Sequence, residues 1–161
     1  QQVAGVSRGR LLHHFPSREV LLTAAVHHLA DVRIAELTAG VTIPVDLGDR
    51  IRFAVAAMWE ITGQSCFWAT MELWMGARTA NPELREALSG VERKMLGILR
   101  DRADELFGER VTAQPDYHRT REVMITSMRG ARLAYTFHPR DPETDPALGH
   151  WEAMFEAILS G

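Results

Sequence analysis

The sequence is poor in the residues that carry most recognisable chemistry. A single cysteine, Cys66, rules out an intrachain disulfide, so a disulfide-held secreted scaffold is excluded and a reducing, cytoplasmic setting is expected. Cys66 has Ser65 beside it but no identifiable histidine partner, and a lone cysteine in an apolar stretch reads as a small hydrophobe. Long apolar runs are missing as well. The longest, Phe53 to Trp59, falls far short of the roughly 20 residues that span a bilayer, so no membrane partner is expected. There is no HExxH and no cysteine pair, and His13-His14 and His27-His28 are adjacent residues that point about 100° apart on a helix. Neither pair can chelate one metal by itself. Gly5-Val6-Ser7-Arg8-Gly9 is not spaced as a phosphate-binding loop. No catalytic residue, metal or cofactor is therefore expected, and the chain does not read as an enzyme.

Excess charge of one sign is also lacking. With 18 Lys and Arg against 21 Asp and Glu, the net charge of -3 argues against general coating of nucleic acid but leaves room for a local basic patch. Arg8, Arg10, His13, His14 and Arg18 place such a patch at the N-terminal end. What the chain does have is an ordinary globular composition, 46% hydrophobic and 24% charged, and enough length for a sizeable core.

Helical spacing recurs throughout and no run alternates like a strand, so the expected class is all-α. Leu21, Leu22, Ala25, Val26, Leu29, Val32 and Leu37 mark a helix of about six turns from Ser17 to about Thr38. A loop through Asp46 precedes a helix from Leu47 to Gly63 that is apolar nearly all round and so belongs in the centre of a bundle. Asn81-Pro82-Glu83 reads as the start of a helix running to Gly108, followed by a loop from Glu109 to Tyr117. Two helices close the chain, Arg119 to Phe137 and one that starts at Asp145-Pro146 and carries Trp151, Met154, Phe155, Ile158 and Leu159.

The stretch from Val3 to Leu22 organises the rest. Ala4-Gly5-Val6-Ser7 reads as a tight turn with Ser7 as a helix cap, and a short helix follows from about Arg8 to His14. Its apolar side is Leu11 and Phe15, which leaves Arg8, Arg10 and His13 outward. Pro16-Ser17 ends that helix and Ser17 caps the next, with Arg18-Glu19 in the first turn.

Ala4-Gly5-Val6-Ser7-Arg8-Gly9, Leu11, His14-Phe15-Pro16-Ser17, Arg18-Glu19 and Leu21-Leu22 together resemble the turn, recognition helix and fourth helix of tetracycline-repressor-like (TetR family) transcription regulators. The detailed likeness covers the N-terminal eighth of the chain. Where the family usually carries a Tyr that touches a phosphate, this chain has Leu12, which cannot donate; where it usually carries Lys, Arg18 keeps the charge. The family's first helix and most of its second are expected upstream of Gln1.

The resemblance implies a partial helix-turn-helix head over residues 1–38, continuous with an effector-binding and dimerisation domain over residues 39–161. It implies a repressor that binds operator DNA as a homodimer. Ser7, Arg8, Gly9, Arg10, His13, His14 and Arg18 become the DNA-facing set, with Arg8 and Arg10 near base edges and His13, His14 and Arg18 on the backbone. The aromatic and methionine residues Met58, Trp59, Trp68, Met71, Glu72, Trp74, Met95, Met124 and Met128 read either as core or as the lining of an effector cavity. The effector is expected to be a small hydrophobic or cationic molecule, and an inward Glu72 would favour a cationic or hydroxylated one. In the last two helices Ser127, Gly130, Ala131 and Ala134 would allow close approach of a second copy. Trp151, Met154, Phe155, Ile158 and Leu159 would fill the interface or, alternatively, cover the chain's own core. The rival functions are a scaffold or small-molecule-binding protein on the same fold that does not bind DNA, and, further off, a small all-α enzyme.

Overall fold

The computed structural model describes Phe15, Ser17, Val20, Leu21, Ala24, Ala25, His27, His28 and Asp31, and residues 41–80, 82–141 and 146–160. Among the described residues there is no strand, and the helices are α1 (Leu47–Thr62), α2 (Ser65–Ala80), α3 (Pro82–Phe107), α4 (Glu109–Thr112), α5 (Tyr117–Tyr135) and α6 (Ala147–Ser160). The fold is all-α.

Local chemistry fixes several boundaries. Asp46 is extended (φ -61°, ψ 135°), and its carboxylate accepts the Asp49 N–H at 2.9 Å, capping α1. Pro82 opens α3, where its missing N–H would have had no helical partner. Gly108 ends that helix with φ 75° and ψ 169°, a conformation open essentially to glycine alone. The loop expected from Glu109 to Tyr117 is shorter than the sequence suggests. It holds the one-turn helix α4, and Tyr117 is already the first residue of α5. Tyr117 is fully buried, so a residue that looks like polar loop is a core side chain.

By compactness the chain groups into two units, each formed by two separate stretches: Gln1–Glu36 with Ser65–Met95, and Leu37–Gln64 with Leu96–Gly161. This is a division by packing, whereas the boundary expected near residue 38 follows function. In the first unit Phe67 and Trp68 meet edge to face at 5.1 Å, Leu88 is fully buried, and Lys94 Nζ pairs with Asp31 Oδ2 at 3.2 Å.

The second unit has one continuous core. In it α1 packs on α5 and α6, and α5 packs on both α6 and α4. Ile51, Ala54, Val55, Met58 and Trp59 of α1 meet Met124, Ile125 and Met128 of α5, and Trp151 and Phe155 of α6. The Phe107 and Phe155 rings stack at 4.0 Å, and Tyr117 meets Phe107 edge to face at 6.0 Å. Each fully buried large side chain contributes roughly 1.5–3 kcal/mol, so α1, with seven buried positions, anchors the unit.

Candidate functional site

The expected DNA-facing residues Ser7, Arg8, Gly9, Arg10, His13, His14 and Arg18 lie outside the described residues. At their edge, Ser17 acts as a helix cap: its Oγ accepts the Val20 N–H at 3.2 Å, and its carbonyl accepts the Leu21 N–H at 3.2 Å. Val20, Leu21, Ala24, Ala25, His27, His28 and Asp31 are helical, with Val20, Ala25, His28 and Asp31 exposed.

The nine residues considered for an effector cavity divide between the units. Met58, Trp59, Met124 and Met128 belong to the second, and Trp68, Met71, Glu72, Trp74 and Met95 to the first. Met58, Met124 and Met128 are completely buried in the common core, where they fill space against α1, α5 and α6. In the first unit Glu72 is exposed while Trp68, Met71, Trp74 and Met95 are half-buried. An exposed Glu72 corrects its assignment as the inward polar group: solvent, rather than a ligand, satisfies its carboxylate. The argument for a cationic effector goes with it.

The second unit contains a cavity elsewhere. About 60 Å³ lies between α1 and α3, walled by Phe53, Ala57 and Ile61 of α1, by Leu106 of α3 and by Val41, with Glu60 and Arg102 supplying the charged groups. Phe53, Ala57 and Ile61 recur every four residues, so they share one face of α1, distinct from the Met58 and Trp59 face turned to α5 and α6. None of the nine residues lines it.

Two arginines hold helix ends in the same unit. Arg50, from α1, donates Nε to the Leu106 carbonyl at 2.8 Å and Nη2 to the Glu105 carbonyl at 3.0 Å, closing the carboxyl end of α3. Arg132, from α5, donates Nη2 to the Trp59 carbonyl at 2.7 Å and lies over the Trp59 ring with Cζ 3.6 Å from its centroid. A third group of charges ties α3 to α5. Asp104 Oδ1 accepts Tyr117 OH at 2.7 Å and Arg121 Nη1 at 2.6 Å, and Arg100 grips Glu122 through two bonds of 2.8 and 2.7 Å. Burial, reinforced by the Asp104 carboxylate, pushes the Tyr117 phenol far above its ordinary range. The Arg100 bonds hold the Glu122 carboxyl below its usual value. Every polar atom named in this group is partnered, which makes it a brace between helices.

The outward faces of α5 and α6 differ from the expected interface. Trp151 (6% exposed) and Phe155 (0%) are turned into their own chain's core, so they are not available to a second copy. The reason is the packing of α6 on α1: Trp59 meets the Trp151 ring at 5.4 Å, and Trp151 Nε1 donates to Ser127 Oγ at 2.8 Å. Met154, Ile158, Leu159 and Ala131 are partly buried against the same core. Ser127, Gly130 and Ala134 are exposed, and a Cβ built on Gly130 would meet nothing within 4 Å. They fall in line with the exposed Val123, three or four residues apart, so the outward side of α5 is a stripe of small and apolar residues, and the exposed Phe137 follows just past the helix end.

Arg50, Arg132 and the Asp104–Tyr117–Arg121 cluster were not singled out in the sequence. The available signals were weak ones: a basic residue inside an otherwise small and apolar run at Arg132, and a glycine directly after a helical pattern at Gly63 and Gly108.

Among the described residues no group of three or more His, Cys, Asp or Glu side chains is placed to hold a metal ion, and no helix is long and apolar enough to cross a membrane. Comparison with known proteins yields no match to a protein family, to a curated protein or to a solved structure.

Proposed function

We propose that this chain belongs to a ligand-responsive transcriptional repressor that binds operator DNA as a homodimer. The observation that carries the proposal is the run from Ala4 to Leu22, whose turn glycine, capping serines, outward arginines and His-Phe-Pro-Ser junction stand in the register of a DNA-reading helix and the helix after it. Two features of the structure support it. The fold is all-α, and Ser17 caps a helix at the position the pattern requires. In this reading Arg8 and Arg10 reach base edges while His13, His14 and Arg18 lie on phosphates, Ser7 and Gly9 shaping the approach.

The complete protein should bind operator DNA with an affinity that falls steeply as salt rises, because phosphate contacts release counterions. Replacing Arg10 by Ala should weaken specific binding by roughly 1–3 kcal/mol and relax the preference at one base position in each half-site. A gel-shift titration at stated salt concentrations measures both. Binding that is absent at low salt would instead favour a scaffold without DNA affinity, the reading to which Leu12 points.

The dimer is proposed through the outward stripe of α5, where Gly130 and Ala134 permit close approach and Val123, at 48% exposure, and Phe137, at 73%, supply apolar area. An Ala134→Glu variant should remain helical and sediment as a monomer. A dimer that persists in that variant places the interface elsewhere. The effector is proposed to be a small hydrophobic molecule, and the cavity of about 60 Å³ between α1 and α3 is too small to hold one without widening.

A further inference from the structure

We infer that Arg132 is a positioning residue, a latch from α5 that holds the carboxyl end of α1 and so fixes the direction in which the chain leaves that helix. Three contacts build it. The guanidinium donates Nη2 to the Trp59 carbonyl at 2.7 Å, lies 3.6 Å above the centroid of the Trp59 ring, and faces Glu60 Oε1 at 3.7 Å. A cation at the carboxyl end of a helix also opposes the negative end of its dipole. The fourth side of the guanidinium rests on Gly63, the residue that closes α1. A Cβ there would stand 2.5 Å from Arg132 Cζ, so only glycine leaves room for the latch.

The geometry is that of a contact held close to its limit. Arg132 is 17% exposed, yet its buried Nε has no partner, and the indole Nε1 of Trp59 beneath it has none either. A buried donor left without its bond is destabilising. Glu60 is 65% exposed and stands beyond hydrogen-bond distance, so its charge compensates only in part. Burial accordingly lowers the Arg132 pKa. An arginine kept in such a place is a poor stabiliser of the core. Its contacts all fall on the end of one helix, which they hold in place.

Its position says what it would control. Residues 63 and 64 are the last before the chain passes from the second compact unit into the first, the unit that also takes in Gln1–Glu36. On the same helix as Arg132, the outward stripe is the proposed dimer face. Arg132 therefore joins the helix that carries the proposed dimer face to the helix end after which the chain enters the first unit. The part of this inference that concerns DNA rests on the proposed function; the latch itself does not.

Two variants break the latch from opposite sides. Gly63→Ala keeps Arg132 but fills its place, and φ -92° at Gly63 admits alanine without backbone strain. Arg132→Met keeps the apolar stem and removes the guanidinium. In the complete protein, hydrogen exchange at the Gly63 and Gln64 amides, which donate to the Glu60 and Ile61 carbonyls, should become at least about tenfold faster in both variants, while amides around Phe155 stay protected. On operators whose half-sites are moved apart or together by one base pair, the parent should prefer one spacing and both variants should lose that preference. Unchanged exchange at residues 63 and 64 in both variants, or an increase spread evenly through the second unit, overturns the latch. Faster local exchange with an unaltered spacing preference reduces Arg132 to a packing residue and overturns the positioning role. A parent that binds no operator refutes the proposed function instead, and the exchange result then decides the latch alone.

Discussion

Two helix ends in the second unit are held by the same device, an arginine pressed on the glycine that follows the helix, and they differ in how completely the arginine is satisfied. At the end of α3, Arg50 bonds two successive carbonyls, those of Glu105 and Leu106, and its guanidinium covers Gly108. At the end of α1, Arg132 bonds one carbonyl, covers Gly63, stacks on an indole and keeps a buried Nε without a partner. The glycines differ in the same direction. Gly108 has φ 75°, so the backbone itself demands glycine, whereas Gly63 has φ -92° and is glycine only because of the side chain above it. Two backbone bonds over a glycine that the backbone itself requires fix the first corner twice over, whereas one bond over a glycine required only by the side chain above it fixes the second once.

The largest effect expected from this contrast is at Gly108. Gly108→Ala must strain the backbone and also displace the Arg50 guanidinium, which would lie 2.4 to 2.9 Å from the new Cβ. A loss of about 3 kcal/mol or more should appear as a lower urea midpoint, the backbone term being of order 1–3 kcal/mol and each lost charge-assisted bond adding to it. Gly63→Ala should cost about 1 kcal/mol, because the helix gains from alanine part of what it loses when the Arg132 guanidinium is expelled. Equal losses at the two glycines would erase the distinction between the corners.

The smallest effect concerns acid. The acceptors at both corners are backbone carbonyls, which do not titrate, so the arginine bonds to them persist on acidification. The Arg100–Glu122 tie is different. Glu122 has its pKa lowered in the folded chain, chiefly by the Arg100 bonds, so its contribution is fully present above the ordinary value of 4.5 and fades as the pH falls through the lowered one. Glu122 is 40% exposed, so solvent screening limits that contribution to about 0.5 kcal/mol. Denaturation of the parent and of Glu122→Gln at a series of pH values should converge below the folded pKa and separate slightly above it; a gap that widened in acid would reverse the sign.

Much of the architecture was legible residue by residue. The bounds of α1 follow from the capping position of Asp46 and the glycine at 63, and its central place from an apolar surface nearly all round. Pro82 and Gly108 bracket α3. Tyr117 was the miss among the boundaries: polar neighbours mark it as loop, yet its phenol finds Asp104 from α3 and its ring finds Phe107 and Phe155, partners a local pattern does not contain. The assignment of Trp151 and Phe155 failed for a related reason. Periodicity identifies an apolar face but not what covers it, and here the chain's own α1 and α3 do. Glu72 is the converse case, a carboxylate amid aromatics in the sequence that in space meets solvent.

What the sequence by itself determined is the helical class, most of the helix ends and the likeness of the first 22 residues to a helix-turn-helix pattern, because caps, glycines, prolines and the helical period act through neighbours a few positions apart. Only the tertiary structure decided which apolar faces are spent inside the chain, where the hydrocarbon-walled cavity lies, and that Arg50 and Arg132 close helix ends 56 and 73 residues away in the chain. Those outcomes depend on contacts between distant segments, and a buried arginine has the same local sequence signature whether it meets a carbonyl, a carboxylate or water.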